Sequence, residues 1–442
     1  MRPLIAAVII VAAMIWILSG QPAWAGFADG WRAFQAGDFE AALDAWLPLA
    51  KRGDLDAMYN VAVLYEAGRT GAPGEPDMKR AMVWYNRAAE HRLTTAQYRL
   101  AWLYDMGFGV DPDPERSLQW YRQAAERGHA EAQFNLGVAY ERGAAVVSDV
   151  GQAARWYRES AEQNLPAAQF NLGRLYFFGA GVPKDMSLAA QWYSRAAGFG
   201  YAPAQTNLGY MYENGIHLPR DASAAAALYR RAAEQGFAAA QTNLGIMFNF
   251  GLGIPRDYAS ATRWYLAAAH QGDIDAQTNL ALMYANGLGV ERDLVEAYAW
   301  LTLASTGAGQ AGEAASEYHE RLVERFGDND VAAGEARMVI LRGDLEDAGV
   351  VEHRVEPRET AGFGRLDLTV QRRLAALGYY SGIVDGITGP ETRAAVQAFQ
   401  YMMGKAQDGL VTTALLALLD DTLRIRRAAE QLLTQPPTET SQ

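Results

Sequence analysis

The chain has no cysteine. That removes disulfides, thiolate nucleophiles and cysteine-built zinc sites together, and it is compatible with an oxidising compartment without requiring one. Histidine is scarce as well: His91, His129, His217, His270, His319 and His353 are scattered over loops, helix ends and a linker. None pairs with a glutamate at the helical spacing of a metal site, so they read as solvated surface groups and no metal is expected. Ser-x-x-Lys, Gly-x-Ser-x-Gly, His-Glu-x-x-His and phosphate-loop motifs are absent, so no catalytic residue and no cofactor is assigned. A net charge of −12 opposes phosphate backbones and argues against nucleic acid as a partner.

Long apolar runs are confined to the start. Arg2 precedes an uncharged stretch from Leu4 to Leu18, and Ala23-Trp24-Ala25 fits a small-x-small cleavage site. The run is short for a membrane span. Residues 1–25 are therefore expected to be a signal peptide cut before Gly26, leaving no stable membrane insertion; the alternative is an uncleaved anchor. No cysteine follows the run, which excludes a lipoprotein anchor.

What the chain does have is a period. Trp84, Trp120, Trp156 and Trp192 stand 36 residues apart, Leu228 takes the next place, and Trp264 and Trp300 continue the count. Asn135, Asn171, Asn207, Asn243 and Asn279 keep the same step, as do Asp77, Asp113, Asp149, Asp185, Asp221, Asp257 and Asp293. A fixed period of this length marks a solenoid, in which each unit buries its apolar face on its neighbours.

Each unit reads as two antiparallel helices. The Asp seven residues before the Trp position is placed to cap the first helix. In one unit Leu188-Ala189, Trp192-Tyr193 and Ala196-Ala197 give its i, i+3, i+4 apolar spacing. Gly128, Asn164, Gly200, Gly236 and Gly272 then supply the left-handed position that ends it, and Arg92 departs from that pattern. The second helix carries Ala-Gln-x-x-Leu-Gly-x-x-Tyr, as at Ala168, Gln169, Leu172, Gly173 and Tyr176. Gly307-Ala308-Gly309-Gln310-Ala311-Gly312 has Gly-x-Gly-x-x-Gly spacing, but it follows a helix instead of a strand and reads as an inter-helix turn.

These motifs resemble the Sel-one-like repeat, a relative of the tetratricopeptide repeat, over roughly residues 27–326. Departures are local: Leu228 for Trp, Ala145 and His217 at the second loop glycine, and an insertion at 69–76. The resemblance implies protein–protein interaction on a superhelix, without catalysis. Counting from Trp46 to Trp300 gives about eight units, behind a lone leading helix at 26–36. Trp84, Trp120, Trp156, Trp192, Trp264 and Trp300 are assigned to the repeat core instead of a sugar-stacking ladder, because Leu228 substitutes there as a core residue would. Residues 327–363 read as a linker with one further helix near Gly334–Leu345.

From Leu366 the composition shifts. Val370-Gln371, Leu374, Leu377-Gly378-Tyr379-Tyr380, Asp385-Gly386, Gly389-Pro390, Thr392 and Phe399-Gln400 read as a small three-helix bundle, with Pro390 in a first helical turn. The pattern resembles the peptidoglycan-binding domain of bacterial wall enzymes. It places that module at 364–423 and a tail at 424–442. By this resemblance the module holds wall peptide or glycan, and Tyr379, Tyr380, Asp385, Thr392 and Arg393 are its candidate contacts.

The expected fold class is all-α: an α-solenoid plus a three-helix bundle. The expected function is that of a non-catalytic periplasmic adaptor, which binds peptidoglycan through its C-terminal module and recruits an envelope protein on its repeats. The alternative is a regulator of a membrane sensor kinase or of a wall enzyme. A β-lactam-binding or wall-hydrolysing enzyme is the third class.

Overall fold

The computed structural model describes residues 23–347, apart from 71–75, 308, 325 and 327. Among them are eighteen helices and no strand. They divide between Leu165 and Pro166 into two compact units.

In the first unit a leading helix α1 (Ala23–Gln35) is followed by α2 (Phe39–Lys51), α3 (Leu55–Glu66), α4 (Met78–Glu90), α5 (Thr94–Met106), α6 (Pro114–Glu126), α7 (Ala130–Arg142) and α8 (Val150–Glu162). α1 seals the end of its stack on Trp46, which is buried beneath it and donates its indole N–H to the Phe27 carbonyl at 3.1 Å. Gly30 permits the approach, since a Cβ there would lie 2.3 Å from Trp46 Nε1. α1 begins three residues ahead of the expected cleavage point; the rest of the expected leader lies outside the described residues.

The second unit holds α9 (Pro166–Phe178), α10 (Met186–Gly198), α11 (Ala202–Asn214), α12 (Ala222–Glu234) and α13 (Ala238–Phe250). It continues with α14 (Tyr258–Ala269), α15 (Ile274–Asn286), α16 (Leu294–Ser305), α17 (Gly309–Val323) and α18 (Asp328–Asp347).

The recurring Asp has two roles. Its carboxylate accepts a backbone N–H in the first turn of the helix it starts, from Arg80 N through Glu296 N. Its own N–H donates to the carbonyl of the aromatic residue near the end of the preceding helix, as Asp113 to Tyr104 at 2.9 Å and Asp257 to Phe248 at 3.0 Å. One residue thus closes the loop and opens the next helix. The same bond from Asp77 to Tyr65 restores the register after the insertion. Where Arg92 replaces the expected glycine, the backbone keeps the left-handed turn, with φ +68°.

The closest packing runs from each Ala-Gln helix into the Trp-position helix that follows it. Gly173 abuts the ring of Tyr193, and Gly245 that of Tyr265. The glutamine is a clamp: Gln133 Nε2 donates to Ala125 O at 3.1 Å, and Gln163 Nε2 donates to Gln133 Oε1 at 2.8 Å. Gln241 repeats it with Ala233 and Gln271.

The region read as a linker from 327 carries α18, which packs on α16. Gly334 lies against Tyr298, Leu341 and Leu345 are buried with Trp300, and Arg337 Nε meets Glu296 Oε2 at 2.6 Å. α18 spans the place of the one further helix expected near Gly334–Leu345; its buried positions are few and widely spaced among charged residues, so composition does not mark it as a packing face.

Candidate functional site

Tyr379, Tyr380, Asp385, Thr392 and Arg393 lie outside the described residues, as does the whole expected bundle at 364–423. The surface open to description is that of the repeats.

Trp46, Trp84 and Trp300 are buried, whereas Trp120, Trp156, Trp192 and Trp264 are half-buried and keep an edge toward solvent. In five repeats the fully buried ring is the tyrosine that follows the Trp position: Tyr85, Tyr157, Tyr193, Tyr229 and Tyr265. Burial raises the phenols of Tyr85, Tyr193, Tyr229 and Tyr265, Tyr193 to about 12, so they stay protonated. Tyr157 Oη donates a hydrogen bond to Glu141 Oε2 at 2.7 Å and Tyr229 Oη one to Glu213 Oε2 at 2.7 Å. Each pair ties one helix of a repeat to the next with a buried polar bond.

In the first unit this pairing has become a cluster. Tyr85 donates to Glu66 Oε2 at 2.6 Å, and the Arg99 guanidinium pairs with the same carboxylate through Nε at 3.1 Å and through NH2. Arg99 stands where later repeats carry the recurring asparagine, and it also covers the Trp102 ring at 4.3 Å. Both charged side chains are buried. Burial and the Glu66 charge hold the Tyr85 phenol well above its ordinary value. The cluster joins α3, α4 and α5.

Two of the half-buried indoles are covered by arginine. Arg195 lies over Trp192 at 4.6 Å and Arg155 over Trp156 at 5.5 Å. A second arginine, two residues after the Trp position, covers the aromatic residue of the following helix. Arg122 reaches Tyr140 Oη at 3.5 Å, and Arg230 lies over Phe248 at 5.8 Å. Phe178, Phe199 and Phe250 remain exposed.

The histidines differ from their reading as solvated groups at two places. His129 caps α7, accepting from Ala132 N–H at 3.4 Å, and its ring stacks on Tyr98 at 4.6 Å. His319 shares a hydrogen bond with Thr302 Oγ1 at 3.0 Å and packs on Tyr298. Both are depressed below their ordinary pKa, chiefly by burial. Repeat loops and helix ends are where such packing occurs in a solenoid, so a surface position in sequence does not imply a solvated ring. His91, His217 and His270 are exposed, and His353 lies outside the described residues. Among the described residues no three of His, Asp and Glu gather as a metal site.

In the glycine-rich stretch at 307–312, Gly307 follows α16 and Gly309–Gly312 form the first turn of α17, so the stretch joins two helices and follows no strand.

Compared with known families, seven consecutive segments match the Sel1 repeat: residues 55–92, 94–129, 130–165, 166–198, 202–237, 238–273 and 274–307. Together they span more than half of the chain. The chain belongs to the Sel1 repeat family. From residue 94 on, each matched repeat is an Ala-Gln helix followed by its Trp-position helix, the same pairing that packs most closely here, and the division of the chain into two units falls at a repeat boundary. Residues 368–419 match the "Putative peptidoglycan binding domain" family.

Among solved structures, a Sel1 repeat protein from Oxalobacter formigenes is 36% identical, with 52% of this chain and 94% of that one covered and a TM-score of 0.46. A protective antigen of uropathogenic Escherichia coli with an SLR fold is 25% identical, covering 78% of this chain and 97% of that one, with a TM-score of 0.34. OpcA of Synechocystis is 54% identical over 41 residues, a stretch that spans only 9% of either chain.

Sequence reasoning missed the glutamine clamp, the tyrosine–glutamate pairs and the arginine covers. The first was visible as an invariant step in the sequence: Gln97, Gln133, Gln169, Gln205, Gln241 and Gln277 recur with the period. The covers become visible only once residues 18 apart are known to meet.

Proposed function

We propose that this Sel1 repeat protein is a periplasmic, non-catalytic adaptor that holds peptidoglycan through its C-terminal module and recruits an envelope protein on its repeats. The observation that carries the reading is the presence of two binding modules in one chain, seven Sel1 repeats and a peptidoglycan-binding match. The repeats support it physically. Their tyrosines, glutamines and alanines are spent on packing neighbour to neighbour, which leaves the outer edges of the helices available to a partner. Among the described residues no helix is long and apolar enough to cross a membrane, so in this reading attachment runs through the wall. In the module, Tyr379 and Tyr380 would supply apolar contact, Thr392 and Arg393 hydrogen bonds and charge, and Asp385 the turn that sets them.

Recruitment is the property to test. Purified sacculi are incubated with envelope extract and either the full chain or a chain ending at Gly362, then washed. The adaptor reading expects a defined envelope protein to pellet only with the full chain. An identical pellet with both chains, or no recruited protein, overturns it.

A further inference from the structure

In the repeats that keep the second loop glycine, the loop presses on the start of an earlier helix. A Cβ at Gly253 would lie 2.3 Å from the Ala222 carbonyl carbon, and one at Gly289 would lie 2.3 Å from that of Tyr258. Ser223 Oγ donates to Gly253 O at 2.9 Å across this contact. In the repeat of α10 and α11 the loop position is His217, held at φ +61°. A histidine side chain cannot enter the space that glycine leaves, so the contact does not close in the same way.

A second substitution acts at the same place. Two residues after the Trp position the flanking repeats carry Arg158 and Arg230, and an earlier one Arg122, whereas this repeat has Ser194; Asn86, Leu266 and Thr302 hold the place toward the two ends of the array. Where Arg122 and Arg230 cover Tyr140 and Phe248, the short Ser194 leaves Tyr212 uncovered. The result is an open groove of about 410 Å³ between the outer face of α10, α11 and the loop. Its floor is Ala190 and Leu208, with Tyr212 at one side; its rim is Ser187, Gln191, Ser194, Arg195 and His217.

The occupant follows from charge and length. No carboxylate lines the groove, although the chain as a whole carries −12. The nearest helix-capping acid, Asp185, is engaged with the N–H groups of Ser187 and Leu188. Arg195 is steadied by its stacking on Trp192, and Gln191 by its bond to Ser187 Oγ at 3.3 Å. Ser187 to Arg195 spans about 12 Å of helix, the length of three to four extended residues at about 3.3 Å each. We propose that this groove binds a short, extended, acidic segment of a partner protein, with one apolar side chain on Leu208 and Tyr212 and a carboxylate on Arg195. The proposal rests on the adaptor reading and names where the partner is held.

The test uses the full chain and a random heptapeptide library displayed on phage, selected in parallel on wild type, on Ser194→Arg and on Arg195→Glu. Ser194→Arg restores the residue that neighbouring repeats carry, so its melting temperature should match wild type. Wild type is expected to enrich peptides with an acid beside an apolar residue. A synthetic peptide of that consensus should lose all measurable affinity for Ser194→Arg and about tenfold or more for Arg195→Glu. No acidic enrichment, equal binding to all three proteins, or soluble muropeptides occupying the groove in place of peptide would overturn the proposal. In the sacculus recruitment assay, capture of the same partner by wild type and Ser194→Arg sinks the groove alone, whereas capture by neither sinks the adaptor reading.

Discussion

Gly137 lies against the ring of Tyr157 so closely that a Cβ at position 137 would stand 2.7 Å from Tyr157 Cδ1. The tyrosine is fully buried and bonded to Glu141, so the ring has no free direction in which to yield. Gly137→Ala is therefore expected to destabilise the first unit by about 1–3 kcal/mol as an overpacking change. Gly198 makes the opposite case, because a Cβ there meets nothing within 4 Å. Gly198→Ala should stabilise by up to about 1 kcal/mol. Urea denaturation of the two variants beside wild type separates them, and equal midpoints would show that the glycine spacing is not a packing requirement.

The tyrosine and the tryptophan beside it can be ranked. Tyr157 is 0% exposed, whereas Trp156 is half-buried and packs at the edge of the cluster around Tyr121 and Leu136. Tyr157→Ala should cost about 3–5 kcal/mol, the range for deleting a buried aromatic ring, and Trp156→Ala less than that. Denaturation midpoints in the reverse order would return the main core role to the tryptophan series.

That ranking marks how far the sequence could be read. The step of Trp, Asn and Asp dictated helices, capping and solenoid, because a fixed period admits few other folds. Depth was another matter. Trp156 and Tyr157 recur together, and periodicity marks a position as repeated without saying which of two adjacent rings points inward. The packing of α18 was obscured for a related reason: Gly334, Leu341 and Leu345 make a sparse stripe among charges, and only its partner Tyr298 shows that the stripe is a packing face. The groove was least legible, since Ser194 and His217 read as ordinary variation until Arg230 is seen over Phe248 and Gly253 against α12. The five candidate wall contacts from Tyr379 to Arg393 rest on sequence resemblance.

Removing one partner of the buried cluster should be costly. Glu66→Gln leaves the Arg99 charge without its carboxylate and weakens the Tyr85 bond, an expected loss of about 3–5 kcal/mol. Replacing both, Glu66→Leu with Arg99→Met, removes the charges together and should recover most of that loss. Thermal melts of the three proteins check the order. A double variant as unstable as Glu66→Gln would mean that the cluster matters for shape and not for charge.

His129 should make the first unit acid-sensitive. Burial depresses its pKa, with Glu131 pulling the other way, so the folded state favours the neutral ring that caps α7. Its contribution is complete above the unfolded value of about 6.5 and is lost as pH falls toward the depressed folded value, because the unfolded chain binds the proton first. His129→Asn keeps a capping acceptor and cannot titrate. Between pH 7.5 and 5.5 its urea midpoint should fall less than that of wild type; equal falls would assign the acid sensitivity elsewhere.

The most direct test of the adaptor account is co-sedimentation of the chain with purified sacculi, beside a chain ending at Gly362. The account predicts that the full chain pellets, that the shortened chain stays in the supernatant, and that Tyr379→Ala and Arg393→Ala weaken the pellet without altering the solenoid's melt. Failure of the full chain to pellet, or equal pelleting of the shortened one, would contradict it.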